Sequence, residues 1–135
     1  MNKILENREF RLWDYNVSHS KLLLRSPKSE VFPSSVDIIF WDVSAMKIPV
    51  SIGHLINLEK LSVEDNLELY NELAPGTIYH GTDLFKITSN QGEFYVIAWT
   101  VSANFNTLNY DESSISKLDM EWFEHNPINI FSDQT

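Results

Sequence analysis

The chain has 135 residues and a mass of 15.7 kDa, with no cysteine, 43 % hydrophobic residues, 13 % aromatic residues and a formal net charge of −9. That length fits one domain with a buried core, and the lack of cysteine excludes disulfides, thiolate metal sites and thiol catalysis. The acidity excludes non-specific nucleic-acid binding, which needs a basic field.

No apolar run approaches the roughly 18 residues of a membrane span. The start, MNKILENREF, lacks the apolar stretch of a signal peptide. These features describe a soluble, cytoplasmic protein with no membrane partner. It reads as a single domain over residues 1–135, with a loose tail from about residue 130. The charge is uneven. In residues 1–28 six Lys and Arg face three acids, a net +3, whereas afterwards four Lys face sixteen acids, a net −12.

Phe10 and Leu12 alternate with Arg11 and Trp13, which predicts a first strand. Leu22-Leu23-Leu24 centres a second, reached by a turn over residues 16–20 and ended at Pro27. Residues 36–43 predict a central strand, with Ile38 and Phe40 on one face and Ile39 and Trp41 on the other. Apolar residues on both faces require cover on both sides. Residues 50–61 read as a strand, with Val50, Ile52, His54 and Ile56 opposite Leu55, Asn57 and Glu59.

Residues 62–74 favour a short helix. Ser62 and Asp65 resemble a capping box, Leu67, Tyr70, Leu73 and Ala74 share a stripe, and Pro75-Gly76 stops it. Leu67 and Leu69 would equally suit a strand. Residues 84–88 and 93–102 predict a hairpin around Ser89-Asn90-Gln91-Gly92. On its returning strand Phe94, Val96 and Ala98 face one way, and Tyr95, Ile97, Trp99 and Val101 the other. A second helix is predicted over residues 114–126, with Ile115, Leu118, Trp122 and His125 on one stripe. Together these elements give a β-rich α+β domain. Its antiparallel sheet of about five to seven strands, a meander of hairpins with one or two short helices, is either covered by a helix or curled towards a barrel.

Chemical motifs are sparse. The four histidines form no metal-binding pair, and Glu121-Trp-Phe-Glu124-His125 has Glu where an HxxEH zinc string needs His. No glycine loop suits a phosphate, and no Gly-x-Ser-x-Gly elbow exposes a serine. Ser18-His19-Ser20 reads as turn chemistry. A carboxylate pair of Asp14 and Asp42 requires the two similar Trp-Asp strand ends, Trp13-Asp14 and Trp41-Asp42, to be neighbours. No cofactor, metal or catalytic residue is assigned.

The favoured reading is a non-enzymatic acidic module that holds a protein partner, basic by charge complementarity. Trp13, Tyr15, Trp41 and Trp99 are its candidate anchors, with Trp13 and Tyr15 on one face of their strand. Glu64, Asp65, Glu68 and Glu72 are its candidate charges. The composition is similar to that of bacterial interaction and inhibitor proteins, including immunity-type proteins, a likeness that carries no residues over. The alternative is a small-molecule-binding domain or small enzyme with an aromatic-lined pocket, whose polar groups would be Asp14, Asp42 or His54. A further alternative is a homo-oligomer paired through a sheet edge or apolar face.

Overall fold

The computed structural model describes residues 1–115 and 126–131. Among these residues nine strands run in chain order: β1 (Glu9–Asn16), β2 (Lys21–Ser26), β3 (Ser35–Trp41), β4 (Ala45–Lys47), β5 (Ser51–Leu61), β6 (Asp83–Ser89), β7 (Gly92–Ala98), β8 (Thr100–Asn106) and β9 (Pro127–Ile128). Among the described residues one α-helix, α1 (Leu67–Leu73), lies between β5 and β6. All pairings are antiparallel, in the order β4-β7-β6-β5-β1-β2-β3-β8-β9. The protein is thus a β-rich α+β fold.

The strand number exceeds the five to seven expected for two reasons. β4 and β9 are only three and two residues long. In addition, the strand expected over residues 93–102 divides at Trp99. Before Trp99, β7 pairs with β6 and β4; after it, β8 pairs with β3. The Trp99 N–H donates to the Trp41 carbonyl at 2.8 Å, and the Ser44 N–H to the Ile97 carbonyl at 2.8 Å. The chain thereby leaves one half of the sheet and enters the other.

The two halves fold over a common core and are not closed into a barrel. Leu22, Leu24, Ile38 and Phe40 from β2 and β3 pack with Leu58, Phe85, Ile87 and Val96 from β5 to β7. The Phe40 and Phe85 rings meet edge to face at 5.6 Å. Such a pair adds about 0.5–1.5 kcal/mol beyond its buried area.

β2 and β3 are covered on both faces, as their two-sided apolar pattern requires. Leu23 and Ile39 point away from the common core and bury Ile115 between Trp13 and Trp41. The cover is tied down by Arg25, only 1 % exposed, which sits opposite Asp37 in the β2–β3 register. Its Nε and Nη2 donate to the Asp37 carboxylate at 2.6 and 2.9 Å, while Nη1 donates to the Glu112 carbonyl at 2.7 Å.

Three alternation patterns depart from the sequence reading, each at an interruption of the ladder. In β1 the register shifts between Leu12 and Asp14. Leu12 and Tyr15 therefore join the common core while Trp13 packs on the opposite side, so Trp13 and Tyr15 do not share a face. In β5 the ladder shifts opposite Phe10/Arg11 and again between Leu55 and Asn57, leaving Ile52, Leu55 and Leu58 buried and His54 and Ile56 exposed. At Trp99 the parity inverts. Phe94, Val96 and Ala98 face the core before it, and Val101, Ala103 and Phe105 after it.

Residues 62–74 contain a 3-10 turn, Glu64–Asn66, followed by α1. The Ser62 hydroxyl accepts from the Asp65 N–H at 3.3 Å, which is half of the expected capping box. Asn66 breaks the regular geometry at φ −132°, so the packed stripe is Leu69, Tyr70, Leu73 and Ala74, with Leu67 outside it. Tyr70 and Ala74 cover Leu84 and Ile97 of β6 and β7. The expected loop at residues 89–92 is a tighter turn with only Asn90 and Gln91 between β6 and β7.

The helix expected over residues 114–126 falls mostly on residues 116–125, outside the described residues, as do Trp122 and His125. Near the chain end Ile130 is buried and its carbonyl accepts from the Asn2 N–H at 2.6 Å; residues 132–135 lie outside the described residues. Asp37→Ala should cost about 3–5 kcal/mol, because it strands the Arg25 charge in the interior. Equilibrium urea unfolding measures this, and a loss under 1 kcal/mol contradicts the role given to the pair.

Candidate functional site

The proposed anchors fall into three environments. Trp13 and Trp41 lie in one cluster on the outward side of β1 to β3, with Ile115 buried against them. The Arg25 guanidinium lies over the Trp13 ring at 5.1 Å, and Tyr110 packs on the same ring at 5.3 Å. Trp41 donates its Nε1–H to Ser102 Oγ at 2.9 Å, and Lys21 Nζ stands 4.9 Å over its ring. These two indoles therefore help seat Tyr110 and Ile115 from the chain after β8. Tyr15 points into the opposite, common core. Trp99 alone among the three described indoles is largely open, at 56 % exposure.

The alternative polar groups are dispersed as well. Asp14, opposite Leu23 in the ladder, accepts from Ser113 Oγ at 2.6 Å. Asp42 is exposed, just past the end of β3, at φ +52°. The register does not make it a neighbour of Asp14. His54 lines a cleft of about 310 Å³ together with Asn7, Glu9, Arg11, Ser26 and Phe32. Among the described residues no Trp or Tyr lines this cleft, and neither does Asp14 or Asp42.

Local geometry holds His54 in place. Gly53 adopts φ +88°, and a Cβ there would collide with the Asn90 side chain. Asn90 can therefore close on the backbone. Its Oδ1 accepts from the His54 N–H at 2.8 Å and its own N–H donates to the His54 carbonyl at 3.1 Å. His54 Nδ1 lies 3.1 Å from the Asn7 carbonyl. A carbonyl only accepts, so Nδ1 carries the hydrogen and Nε2 is left free.

The acids behave differently. Glu64 and Asp65 lie in the 3-10 turn and Glu68 and Glu72 on α1, and all four are exposed. None is in an ion pair among the described residues. Asp37, Asp83 and Glu93, by contrast, are paired with Arg25, Lys60 and Lys86. Glu93 also accepts from the Tyr95 hydroxyl at 3.3 Å. Burial, helped by the Glu93 charge, pushes the Tyr95 phenol up, and the hydrogen bond to Glu93 raises Lys86.

Leu67, Tyr70 and Asn71, on the same helix as Glu68 and Glu72, line a groove of about 310 Å³ together with Gly76, Thr77 and Ile78, whereas Glu64 lines a separate cleft with Lys60 and Asp83. Leu67 and Ile78 are more than half exposed. The Tyr70 hydroxyl shapes its wall by accepting from the Tyr79 N–H at 3.0 Å. Sequence reasoning missed Ile78 and Tyr79, because Pro75-Gly76 ends the helix and no periodicity marks the segment after it.

Among the described residues no group of three or more His, Asp or Glu side chains is placed to hold a metal, and no helix is long and apolar enough to cross a membrane. No protein-family model, curated protein or solved structure matches this chain.

Truncation separates seat from surface. Trp13→Ala should lose about 2–3 kcal/mol, near the lower end for buried aromatics because the ring is half-buried. Trp99→Ala should stay within about 0.5 kcal/mol of the parent. Urea midpoints at a shared m-value report both, and equal losses contradict the assignment.

Proposed function

We propose that the protein is a non-enzymatic acidic binding module that holds a basic protein partner, in the manner of an inhibitor or immunity-type protein. The observation that carries this reading is the run of exposed acids Glu64, Asp65, Glu68 and Glu72, none in an ion pair among the described residues, of which Glu68 and Glu72 share α1 with the groove residues Leu67, Tyr70 and Asn71. Glu68 and Glu72 stand four apart on one helix, where like charges repel by about 0.2–0.5 kcal/mol. Lys or Arg side chains from a partner turn that repulsion into attraction. Complementary fields of this kind raise association rates and set orientation.

The neighbouring apolar side chains supply contact area. Leu67 and Ile78 line the groove and are exposed, as is Tyr79, which follows Ile78 in the chain. A basic segment with one apolar side chain satisfies both features, with the apolar group in the groove and its charges along α1. Trp99 is an exposed aromatic of the kind that dominates interface energetics.

The test is capture from native lysate on immobilised protein, with mass-spectrometric identification, using the parent and the triple variant Glu64→Lys/Glu68→Lys/Glu72→Lys. The expected result is a basic protein retained by the parent and lost from the variant. Its association rate should fall at least about tenfold between roughly 0.05 and 0.5 M salt. Capture indifferent to both charge reversal and salt overturns the proposal.

A further inference from the structure

Residues 107–115 follow β8 and lie on the outward side of β1 to β3 without joining a strand or helix. Side chains fasten them instead. Lys28 Nζ donates to the Thr107 carbonyl at 2.7 Å, Arg25 Nη1 to the Glu112 carbonyl at 2.7 Å, and Ser113 Oγ to the Asp14 carboxylate at 2.6 Å. Tyr110 packs on the Trp13 ring, and Ile115 on Leu23 and Ile39.

The fit carries one fault. Ser114 is fully buried, and its Oγ is the only sealed side-chain polar atom with no hydrogen-bond partner among the described residues. A hydroxyl in that state forfeits its bonds to water and gains none in return. Closing this stretch therefore carries a penalty at Ser114 that its neighbour Ser113, bonded to Asp14, avoids. Opening disturbs little else. Arg25 keeps both bonds to the Asp37 carboxylate, which lie within the β2–β3 pair, so no buried charge is left unbalanced. The ladders β1–β2, β2–β3 and β3–β8 contain no residue of 107–115.

We infer that residues 107–115 form a strap that lifts as a unit while the strands stay paired, and so switches the Trp13 side of the sheet between a covered and a bared state. Lifting takes Tyr110 off the Trp13 ring and Ile115 off Leu23 and Ile39. Opening ahead of the whole domain is the property of segments held by few contacts outside the ladders. The strap contains none of the acids on or before α1, so its movement is independent of a basic partner held there.

The experiment is chymotrypsin cleavage of the full chain after Tyr110, followed by mass spectrometry as the initial rate of release of residues 1–110. The parent, Ser113→Ala and Ser114→Ala are compared. A protease needs a length of extended chain, so with closing fast the rate reads the open population. Each variant deletes one hydroxyl, from adjacent residues, and opposite effects are expected. Ser113→Ala should speed cleavage about tenfold by removing the bond to Asp14, and Ser114→Ala should slow it about fivefold by removing the unpaired hydroxyl. In the parent the rate should stay nearly flat in urea below the unfolding transition, because lifting exposes little surface. A rate that follows global unfolding in urea, variants that act in the same direction, or either variant leaving the rate unchanged overturns the inference.

Discussion

The Arg25–Asp37 pair is the constraint on which the outward side of the sheet depends. Both side chains are sealed, at 1 % and 0 % exposure, and they face each other across β2 and β3. Desolvating two ions costs several kcal/mol each, so the pair holds only where its geometry is good and its remaining donors are used. Both conditions are met, through two short bonds to the carboxylate and a third from Nη1 to the Glu112 carbonyl. That third bond draws residues 107–115 across Trp13 and brings Ile115 onto Leu23 and Ile39. The ion pair therefore fixes strand register and selects which segment covers the second face.

The element order was legible wherever alternation runs unbroken. Ile38 and Phe40 against Ile39 and Trp41 divide between two clusters as their parity requires. The pattern misleads only at bulges and breaks, where one extra residue exchanges the faces. The register shift after Leu12 separates Trp13 from Tyr15, and the crossing at Trp99 turns Val101 inward. No residue type announces these shifts, since neither Trp13 nor Trp99 is a glycine. They are set by how the two halves of the sheet must bend to share one core.

The candidate sites were legible in part for the same reason. The exposed acids of residues 64–72 follow from local sequence, because surface charge on a short helix needs no long-range information. The apolar groove that borders α1 required the Tyr70 hydroxyl to pin the Tyr79 backbone, a contact between segments nine residues apart.

Trp99 is the sole residue between β7 and β8, yet those strands occupy the second and eighth positions in the strand order. One continuous stretch of backbone thus belongs to both layers, like a belt threaded through the two sides of a garment. Neither layer can detach and leave the other intact, because each loses a paired strand when the belt is released. The domain is accordingly built to melt in a single cooperative step rather than half by half. Its dependence on pairings distant along the chain also places it among slow-folding topologies.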